Sequence, residues 1–376
     1  MPRKSSSESL IHHLALIDDP RMDRTKEHAL IDILMIAVCA MICGADSFVE
    51  FEQFGNAKVE FLRGLLELRN GIPSHDTFRR VFSLLDPEQF SEAFRHWTEG
   101  LRKAFSKEIV AIDGKTLRRS HDRAHGKEAI HIVSAWAREN SLVLGQVKVD
   151  DKSNEITAIP ELLRVLKLKG CIVTIDAMGC QKQIASEISA AQADYVLALK
   201  GNQGSLHEEV QQFMEAAQAA DFQEIAHDFL EVIERGHGRS ETRRYWICED
   251  IDWLTQHSQW KALRSVAMVE SVREIQGKVT TERRFYISSI AATAKELARA
   301  VRGHWSIENN LHWSLDVSFG EDQCRARAGY AAENLAVLRH IAINILKTDT
   351  KKKLSIKTKQ KCASWDHPYL LNLLRL

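Results

Sequence analysis

The amino-acid sequence predicts a mixed α/β fold, in which helices cover a mixed β-sheet and a separate helical segment precedes it. Two observations predict this class. From about residue 107 the chain alternates strand-like and helix-like segments in the order β-β-β-α-β-α-β, whereas residues 1 to about 100 show only helical patterns. A chain of 376 residues is long enough for two or three units around one core.

Composition argues against a membrane or secreted protein. Hydrophobic residues make up 44% of the chain and charged residues 27%, which is typical of a globular protein. The most apolar stretch, 31–43, contains Asp32 and is too short to cross a bilayer, and the polar start lacks the apolar core of a secretory leader. Seven cysteines without a CxxC pair predict reduced thiols in the cytoplasm. Because 51 Lys and Arg balance 51 Asp and Glu, any contact with nucleic acid must come from local basic patches.

Residues 1–104 are predicted to form a helical domain. The run HALIDILMIAVCAMICGA predicts a buried helix that ends near Gly44. Further helix starts are expected at Ser74, a candidate N-cap, and at Asp86-Pro87-Glu88. Short helices joined by tight turns suit a DNA-binding domain of the helix-turn-helix type, but a plain helical packing domain fits equally well.

Residues 105–204 are predicted to form the first part of the sheet. KEIVAID is a strand that ends on Asp113, and CIVTIDAMG is a buried strand that ends on Asp176. HIVSAWARE and LVLGQVKVD form a hairpin around Asn140-Ser141, and DYVLALK is the fifth strand. The segments NEITAIPELLRVLKL, with Pro160 near its start, and QKQIASEISAAQA are predicted helices.

Three further segments complete the predicted organisation. Residues 205–292 are expected to be a β-rich insertion with its own strands and a hairpin turn at Gln276-Gly277. Residues 293–346 return to helix and form the second part of the core. Residues 347–376 are a basic C-terminal tail, either mobile or an arm that binds phosphates.

Asp113 and Asp176 are candidate functional residues because each ends an apolar strand. A buried carboxylate is costly unless something pairs with it, and for either acid alone a helix cap or a salt bridge is a sufficient explanation. In a β-β-β-α-β sheet the first and fourth strands lie side by side, so both carboxylates could face one cleft. Paired carboxylates suit hard divalent cations such as Mg²⁺.

A third acid is expected in the helical segment HWSIENNLHWSLDVSFGEDQCRAR. The candidates are Glu308, Asp316, Glu321 and Asp322. Glu308 lies beside an apolar helix side and one turn from both His304 and His312. Spacing alone does not select Glu308 over Asp316.

Three segments, AIDGKTLRRS, VTIDAMGCQ and HWSIENNLHWSLDVSFGEDQCRAR, resemble the acidic motifs of DDE transposases of bacterial insertion sequences, and more narrowly the H-repeat-associated subgroup. The resemblance runs along nearly the whole chain. It implies a ribonuclease H-like fold, with Asp113, Asp176 and Glu308 as the catalytic and metal-binding acids. The Tyr-Arg-Glu-Lys signature of the broader group is missing, since Val301, His304 and Leu315 stand at its other positions.

The resemblance implies metal-dependent DNA strand cleavage and strand transfer during transposition of an insertion element. Two Mg²⁺ or Mn²⁺ ions would be the cofactors, with Asp113 bridging them and Asp176 and Glu308 each completing one. The expected partners are double-stranded DNA of the terminal repeats and the target, and a second copy of the chain in a homodimer on DNA. The expected location is the cytoplasm, at the nucleoid. The alternatives are an inactive or domesticated relative that binds DNA without cutting it, and a different nuclease of the same fold.

Basic residues near the motifs are expected to bind DNA phosphates, although charge runs are often merely solvated. The expected contacts are Lys115, Arg118, Arg119, Arg123, Lys127, Lys200, Arg302, His304, His312 and Arg325. Trp305 and Trp313 could stack on a base, but aromatic residues at helical spacing more often pack inward, and we expect them in the core.

Overall fold

The chain folds as two compact units in a computed structural model that describes residues 9–121, 128–150, 153–236 and 239–374. The first unit comprises residues 1–104, 114–152 and 308–376, and the second comprises residues 105–113 and 153–307. Each unit is assembled from segments that are distant in sequence. The domain boundaries expected from the sequence stay predictions.

The described residues form fourteen α-helices and nine β-strands. The helices are α1 (Leu10–Leu14), α2 (Leu30–Ile42), α3 (Phe48–Ala57), α4 (Val59–Arg63), α5 (His75–Leu84), α6 (Pro87–Leu101), α7 (Glu155–Val165), α8 (Lys182–Ala190), α9 (Ser205–Ala219), α10 (Ala294–His304), α11 (Trp313–Phe319), α12 (Ala331–Thr348), α13 (Ile356–Trp365) and α14 (His367–Leu374). The strands are β1 (Ile109–Thr116), β2 (His131–Ala137), β3 (Leu142–Lys148), β4 (Ile172–Ile175), β5 (Asp194–Leu199), β6 (His227–Gly236), β7 (Arg239–Cys248), β8 (Ser265–Ile275) and β9 (Lys278–Ser288).

Two apolar helices form the core of the first unit. Every residue of α2 except Ile31 is buried, and α12, which is also largely buried, packs against α2. A helix that is apolar on all sides belongs in a protein core. Asn334 of α12 satisfies two carbonyls at the end of α5, since its Nδ2 donates to Phe82 O at 2.9 Å and to Leu85 O at 2.8 Å. The buried helix predicted to end near Gly44 is confirmed.

A β-hairpin completes the first unit. Strands β2 and β3 pair in antiparallel fashion from Ile132 opposite Lys148 to Ala137 opposite Leu142. The turn contains Ser141, whose φ of 54° is left-handed, so the predicted hairpin is confirmed. The chain directly after β1 lies against the start of this hairpin, because Leu117 N donates to Ile130 O at 2.8 Å.

The second unit is built on a mixed sheet with the strand order β1-β4-β5-β9-β8-β7-β6. Strands β1, β4 and β5 are parallel, and β9, β8, β7 and β6 follow in antiparallel fashion. Helix α10 covers the sheet and buries Leu297 in one cluster with Ile109 and Ile172. The mixed α/β class and the predicted adjacency of the first and fourth strands are confirmed.

The segment 205–292, predicted to be a β-rich insertion with its own strands, contains β6, β7, β8 and β9. Its four strands form a meander that joins the core sheet through pairing of β9 with β5. The sequence did not predict β6, because most of its side chains are exposed and it lacks an apolar alternation. The hairpin turn at Gln276-Gly277 is confirmed, with φ values of 51° and 77°.

Three smaller expectations are corrected. Strand β1 does not end on Asp113 but continues to Thr116. Pro160 lies inside α7, at the sixth of its 11 residues, rather than near its start. The C-terminal segment is not a tail, because α13 and α14 pack on α12 and the buried Lys359 donates to Leu346 O at 2.9 Å. No helix in the described ranges combines the length and apolar character that crossing a membrane requires.

His340 of α12 is a buried titratable group in the core of the first unit. Burial, and then the charges of Arg339 and Lys115, lower its pKa to about 3. Its Nδ1 has no hydrogen-bond partner among the described residues. This folded-state pKa lies below the unfolded value of about 6.5. Below pH ~6.5 the unfolded chain therefore binds a proton at His340 that the folded chain does not, and the free energy of unfolding decreases as the pH falls.

We therefore predict that His340→Leu flattens the acid side of the stability curve. Between about pH 6.5 and 4 the wild type should lose roughly 1.4 kcal/mol of unfolding free energy per pH unit more than the variant, which corresponds to one proton. Urea unfolding at a series of pH values measures both slopes. Parallel curves for the two proteins would show that His340 does not titrate on unfolding.

Candidate active site

Asp113 and Asp176 take neighbouring positions in the second unit because β1 and β4 pair in parallel. The register sets Ile112 opposite Ile175, and each acid is the next residue along its chain. Adjacent strands are about 4.8 Å apart, and residues in register face the same side of a sheet. Both carboxylates are partly buried. The second unit therefore carries a pair of carboxylates where two buried parallel strands leave the core.

The loop that follows Asp176 holds this side chain in place. Its Oδ1 accepts hydrogen bonds from Met178 N at 3.0 Å and Gly179 N at 3.3 Å. Its Oδ2 has no hydrogen-bond partner in the described part of the chain, which leaves a carboxylate oxygen for a cation. Gly179 is packed so closely that a Cβ there would lie 2.2 Å from Ile175 Cγ2, so only glycine fits.

Two side chains that follow β5 hold the same loop by hydrogen bonds. Asn202 Nδ2 donates to Ala177 O at 2.7 Å, and Gln203 Nε2 donates to Cys180 O at 2.5 Å. The role of these two amides was not predicted from the sequence. The one signal was their position directly after a strand of the same sheet. They restrict the loop on both sides of Met178 and so position Asp176.

His304, an expected phosphate contact, lies at the end of α10 close to the same strand. Its Nδ1 is 3.3 Å from Thr174 Oγ1. Burial lowers the pKa of His304, although the nearby Asp176 carboxylate acts in the opposite direction. The ring is therefore neutral near pH 7, which makes it a weak partner for a phosphate.

Glu308 is in the first unit, where it begins a π-helical turn, Glu308–His312, directly before α11. Turns of this type are rare and occur often at functional sites. The Glu308 side chain is exposed, and no Lys, Arg or His forms an ion pair with it in the described ranges. Its carboxylate is therefore available to a ligand.

The other three acids of this segment have a different environment, because they surround Lys115. The Lys115 Nζ atom lies 2.7 Å from Asp316 Oδ1, 3.0 Å from Glu321 Oε2 and 3.1 Å from Asp322 Oδ1. Burial lowers the pKa of Lys115, but these carboxylates outweigh it and raise the pKa overall. Asp316, Glu321 and Asp322 thus share one ammonium, whereas Glu308 lies outside this group.

The Lys115 cluster could not be predicted from the sequence, because Lys115 precedes the three acids by about 200 residues and no spacing links them. Lys115 was expected to bind phosphate, but its side chain is only 13% exposed. His312 belongs to the same buried region, where burial and then Lys115 lower its pKa to about 4. A neutral His312 is likewise a weak partner for a phosphate.

The remaining basic candidates differ in their exposure and in whether a carboxylate binds them. Arg118 is 79% exposed, with its Nε 3.2 Å from Asp322 Oδ2, and Arg119 and Arg325 are also exposed in the first unit. In the second unit Lys200 is exposed, but Arg302 Nη1 binds Glu234 Oε2 at 2.6 Å. Arg123 and Lys127 lie outside the described residues.

Trp305 and Trp313 were expected in the core, and that expectation is wrong. Their exposed fractions are 37% and 56%. The apolar side of the helical segment is formed instead by the buried Ile307, Leu311 and Leu315. Trp313 lies two residues from both Leu311 and Leu315, which is about 200° around a helix, so it falls on the opposite, exposed face.

Neither unit holds three or more His, Cys, Asp or Glu side chains grouped as a metal site among the described residues. The second unit supplies two neighbouring carboxylates, and the first supplies Glu308. Carboxylate oxygens are the ligands that Mg²⁺ and Mn²⁺ accept, so the chemistry of these residues fits such ions.

Comparison with known proteins identifies the chain's relatives. A family model described as transposase DDE domain matches residues 104–345, and one described as DDE_Tnp_1-associated matches residues 11–98. The chain is 42% identical over 372 residues to the "H repeat-associated putative transposase YhhI" of Escherichia coli strain K12, which covers 98% of both chains. It is 49% identical over 279 residues to a protein in the dhlA 3′ region of Xanthobacter autotrophicus, which covers 74% of this chain and 93% of that one.

A solved structure was also found. The piggyBac transposase, in a synaptic complex with hairpin DNA, aligns with 98% of this chain and 78% of its own chain. The sequence identity is 12% and the TM-score is 0.45.

We predict that Lys115→Met destabilises the protein by about 3 kcal/mol, because it leaves several partly buried carboxylates without their shared cation. Arg118→Met is the matched control, since Arg118 binds the same Asp322 but is largely exposed, and it should cost less than about 1 kcal/mol. Urea unfolding at pH 7 measures both. Equal, small effects of the two substitutions would show that the cluster does not hold the fold together.

Proposed function

This chain belongs to the family of proteins with a transposase DDE domain, and we propose on that basis that it cuts and joins DNA strands with Asp113, Asp176 and Glu308 as its catalytic acids. The observation that carries the proposal is the parallel register that makes Asp113 and Asp176 neighbours. Two carboxylates at adjacent positions on neighbouring parallel strands repel each other. A divalent cation would remove that repulsion.

The family typically uses divalent metal ions, and the three acids fit them. We assign Asp113, Asp176 and Glu308 as the residues that would hold Mg²⁺ or Mn²⁺ ions through their carboxylate oxygens. Bound ions would activate the attacking water or 3′-hydroxyl and stabilise the departing 3′-oxygen. The protein would position the acids. Asn202 and Gln203 restrict the loop that carries Asp176, and Glu308 begins the π-helical turn.

Glu308 is preferred as the third acid because of what surrounds the alternatives. Asp316, Glu321 and Asp322 each lie within 3.1 Å of one ammonium, that of Lys115. A carboxylate held by a lysine is a poor ligand for a metal ion, because the ion would have to displace the existing cation. A metal ion that binds Glu308 would not have to displace a lysine.

The substrate of the proposed reaction is double-stranded DNA of the element's ends and of the target. We assign phosphate binding to the exposed Arg118, Arg119, Lys200 and Arg325, since cations on a surface attract the backbone irrespective of sequence. Trp313, which is 56% exposed, offers an aromatic face for a base, whereas the Trp305 ring already carries the Arg284 guanidinium 4.7 Å from its centroid. Joining two ends in one event is expected to require a homodimer on DNA.

Amide substitutions of the acids test the proposal. With DNA that carries the ends of the element and Mg²⁺ or Mn²⁺, we expect Asp113→Asn, Asp176→Asn and Glu308→Gln each to lower strand cleavage by roughly a thousandfold or more, the scale seen when a catalytic group is removed. DNA binding should persist, because the substitutions remove negative charge. Cleavage assays on gels, combined with sequencing of strand-transfer products, measure both steps.

Asp322→Asn serves as the matched control, because it removes a carboxylate from the same segment that only binds Lys115 and Arg118. This variant should keep most of the cleavage activity. Retained cleavage in any of the three test variants would exclude that residue from the site. Binding without cleavage by the wild type, even on a pre-nicked substrate, would favour a DNA-binding relative that no longer cuts.

A further inference from the structure

A large cavity lies in the first unit, between the start of α3, the start of α5 and the segment 320–335 that follows α11. Its volume is about 940 Å³, near the upper end of the range of roughly 300–1,000 Å³ for ligand pockets. Glu308 and the Lys115 cluster do not line it. The cavity is therefore separate from the acids of the third motif.

Small residues create this space, and close packing fixes its wall. Gly320, Ala326, Ala328 and Gly329 face the cavity. Gly329 has a φ of 49° and lies so close to Ser83 that a Cβ would be 2.2 Å from the Ser83 carbonyl oxygen. The next residue, Tyr330, donates its N–H to the same oxygen at 3.1 Å. The wall is thus anchored to α5, and the cavity is preformed.

The charged groups around the cavity are mainly cationic. Arg79, Arg325 and Arg327 line it. Arg79 Nη2 lies 3.0 Å from Asp76 Oδ1, whereas Arg325 has no carboxylate partner in the part of the chain that the structure describes. Arg327 Nε donates to Arg119 O at 3.2 Å, which places the exposed Arg119 beside this wall. Asp46 is the one acid among the described lining residues, and burial, followed by the neighbouring Glu50, raises its pKa. An anion suits this surface.

Part of the cavity wall is apolar. Phe48, Val49 and Leu335 are among its lining residues, and Val49 is 53% exposed at the start of α3. Arginines beside an apolar wall match the two halves of a nucleotide, because guanidinium groups bind phosphate and apolar surfaces accept the flat face of a base. Arg119 and Arg118 continue the cationic surface away from the cavity, which favours a strand with several phosphates over a single free nucleotide.

We propose that this cavity binds an unpaired nucleotide of the DNA strand, with the phosphate at Arg325 and the base against Val49. The inference rests on the proposed function and extends it. It gives the N-terminal helices α3 and α5 a direct part in holding the substrate, without insertion of a recognition helix into a groove.

Binding to two DNA probes tests the proposal. One fluorescein-labelled duplex carries a short single-stranded overhang, and the other is blunt. We expect Arg325→Gln to weaken binding of the overhang probe by about tenfold at 0.1 M salt and to reduce the salt dependence by about one phosphate. Val49→Trp fills the cavity and should abolish the preference for the overhang while binding of the blunt duplex is unchanged.

Arg69→Gln is the matched control, because Arg69 is 82% exposed in the same unit and is not among the residues that line the cavity. It removes the same charge and should alter neither probe's binding by more than about twofold. An effect of Arg69→Gln as large as that of Arg325→Gln would overturn the proposal, because it would indicate only a general attraction to DNA.

The native Cys324 provides a second measurement, since it lines the cavity. An overhang base carrying an activated disulfide should undergo exchange with Cys324, in which the thiolate attacks the disulfide and releases the small thiol. Cross-linking should be lost in Cys324→Ser and in Val49→Trp. Cross-linking that persists in both variants would contradict the proposal.

These results separate failure of the cavity from failure of the proposed function. If the wild type prefers the overhang but the cavity variants do so as well, the cavity is not the binding site and the catalytic proposal is unaffected. If the wild type binds neither probe, both proposals fail.

Discussion

Parallel hydrogen bonding between β1 and β4 is the constraint on which the chemical interpretation depends. It sets Ile112 opposite Ile175 and therefore makes Asp113 and Asp176 neighbours. Two ionised carboxylates at that separation repel each other, and the repulsion increases as they are removed from water. Burial of the strands before them keeps both acids in place regardless of this cost. On the proposed function, a divalent cation bound by both acids would remove this repulsion.

Electrostatics also distinguishes acids that hold the fold from acids that are free to act. Lys115 brings together Asp316, Glu321 and Asp322, so the acid-rich end of the third motif is a structural ion cluster. Glu308 begins a π-helical turn outside this cluster. One sequence segment therefore contains both kinds of carboxylate, and only the arrangement in space separates them.

The sequence predicted the parts of the fold and site that follow from local pattern. Apolar runs that end on Asp113 and Asp176 were sufficient to place both acids on neighbouring strands, because the connection rules for such sheets leave few alternatives. The role of Lys115 could not be predicted, since its partners follow about 200 residues later and a lysine after an acidic motif looks like a phosphate contact. The exposure of Trp313 was missed because the prediction relied on the usual burial of aromatic residues, although Trp313 lies about 200° around the helix from Leu311 and Leu315. Strand β6 was missed because it buries too little apolar surface to leave a pattern.

The most direct test of the central claim is a crystal structure of the protein with Mn²⁺, in which anomalous scattering locates the ions. The account predicts Mn²⁺ bound by carboxylate oxygens of Asp113, Asp176 and Glu308. Ions bound by Asp113 and Asp176 with Asp316 or Glu321 in place of Glu308 would contradict the assignment of the third acid. No ion at Asp113 and Asp176 at saturating Mn²⁺ would contradict the account as a whole.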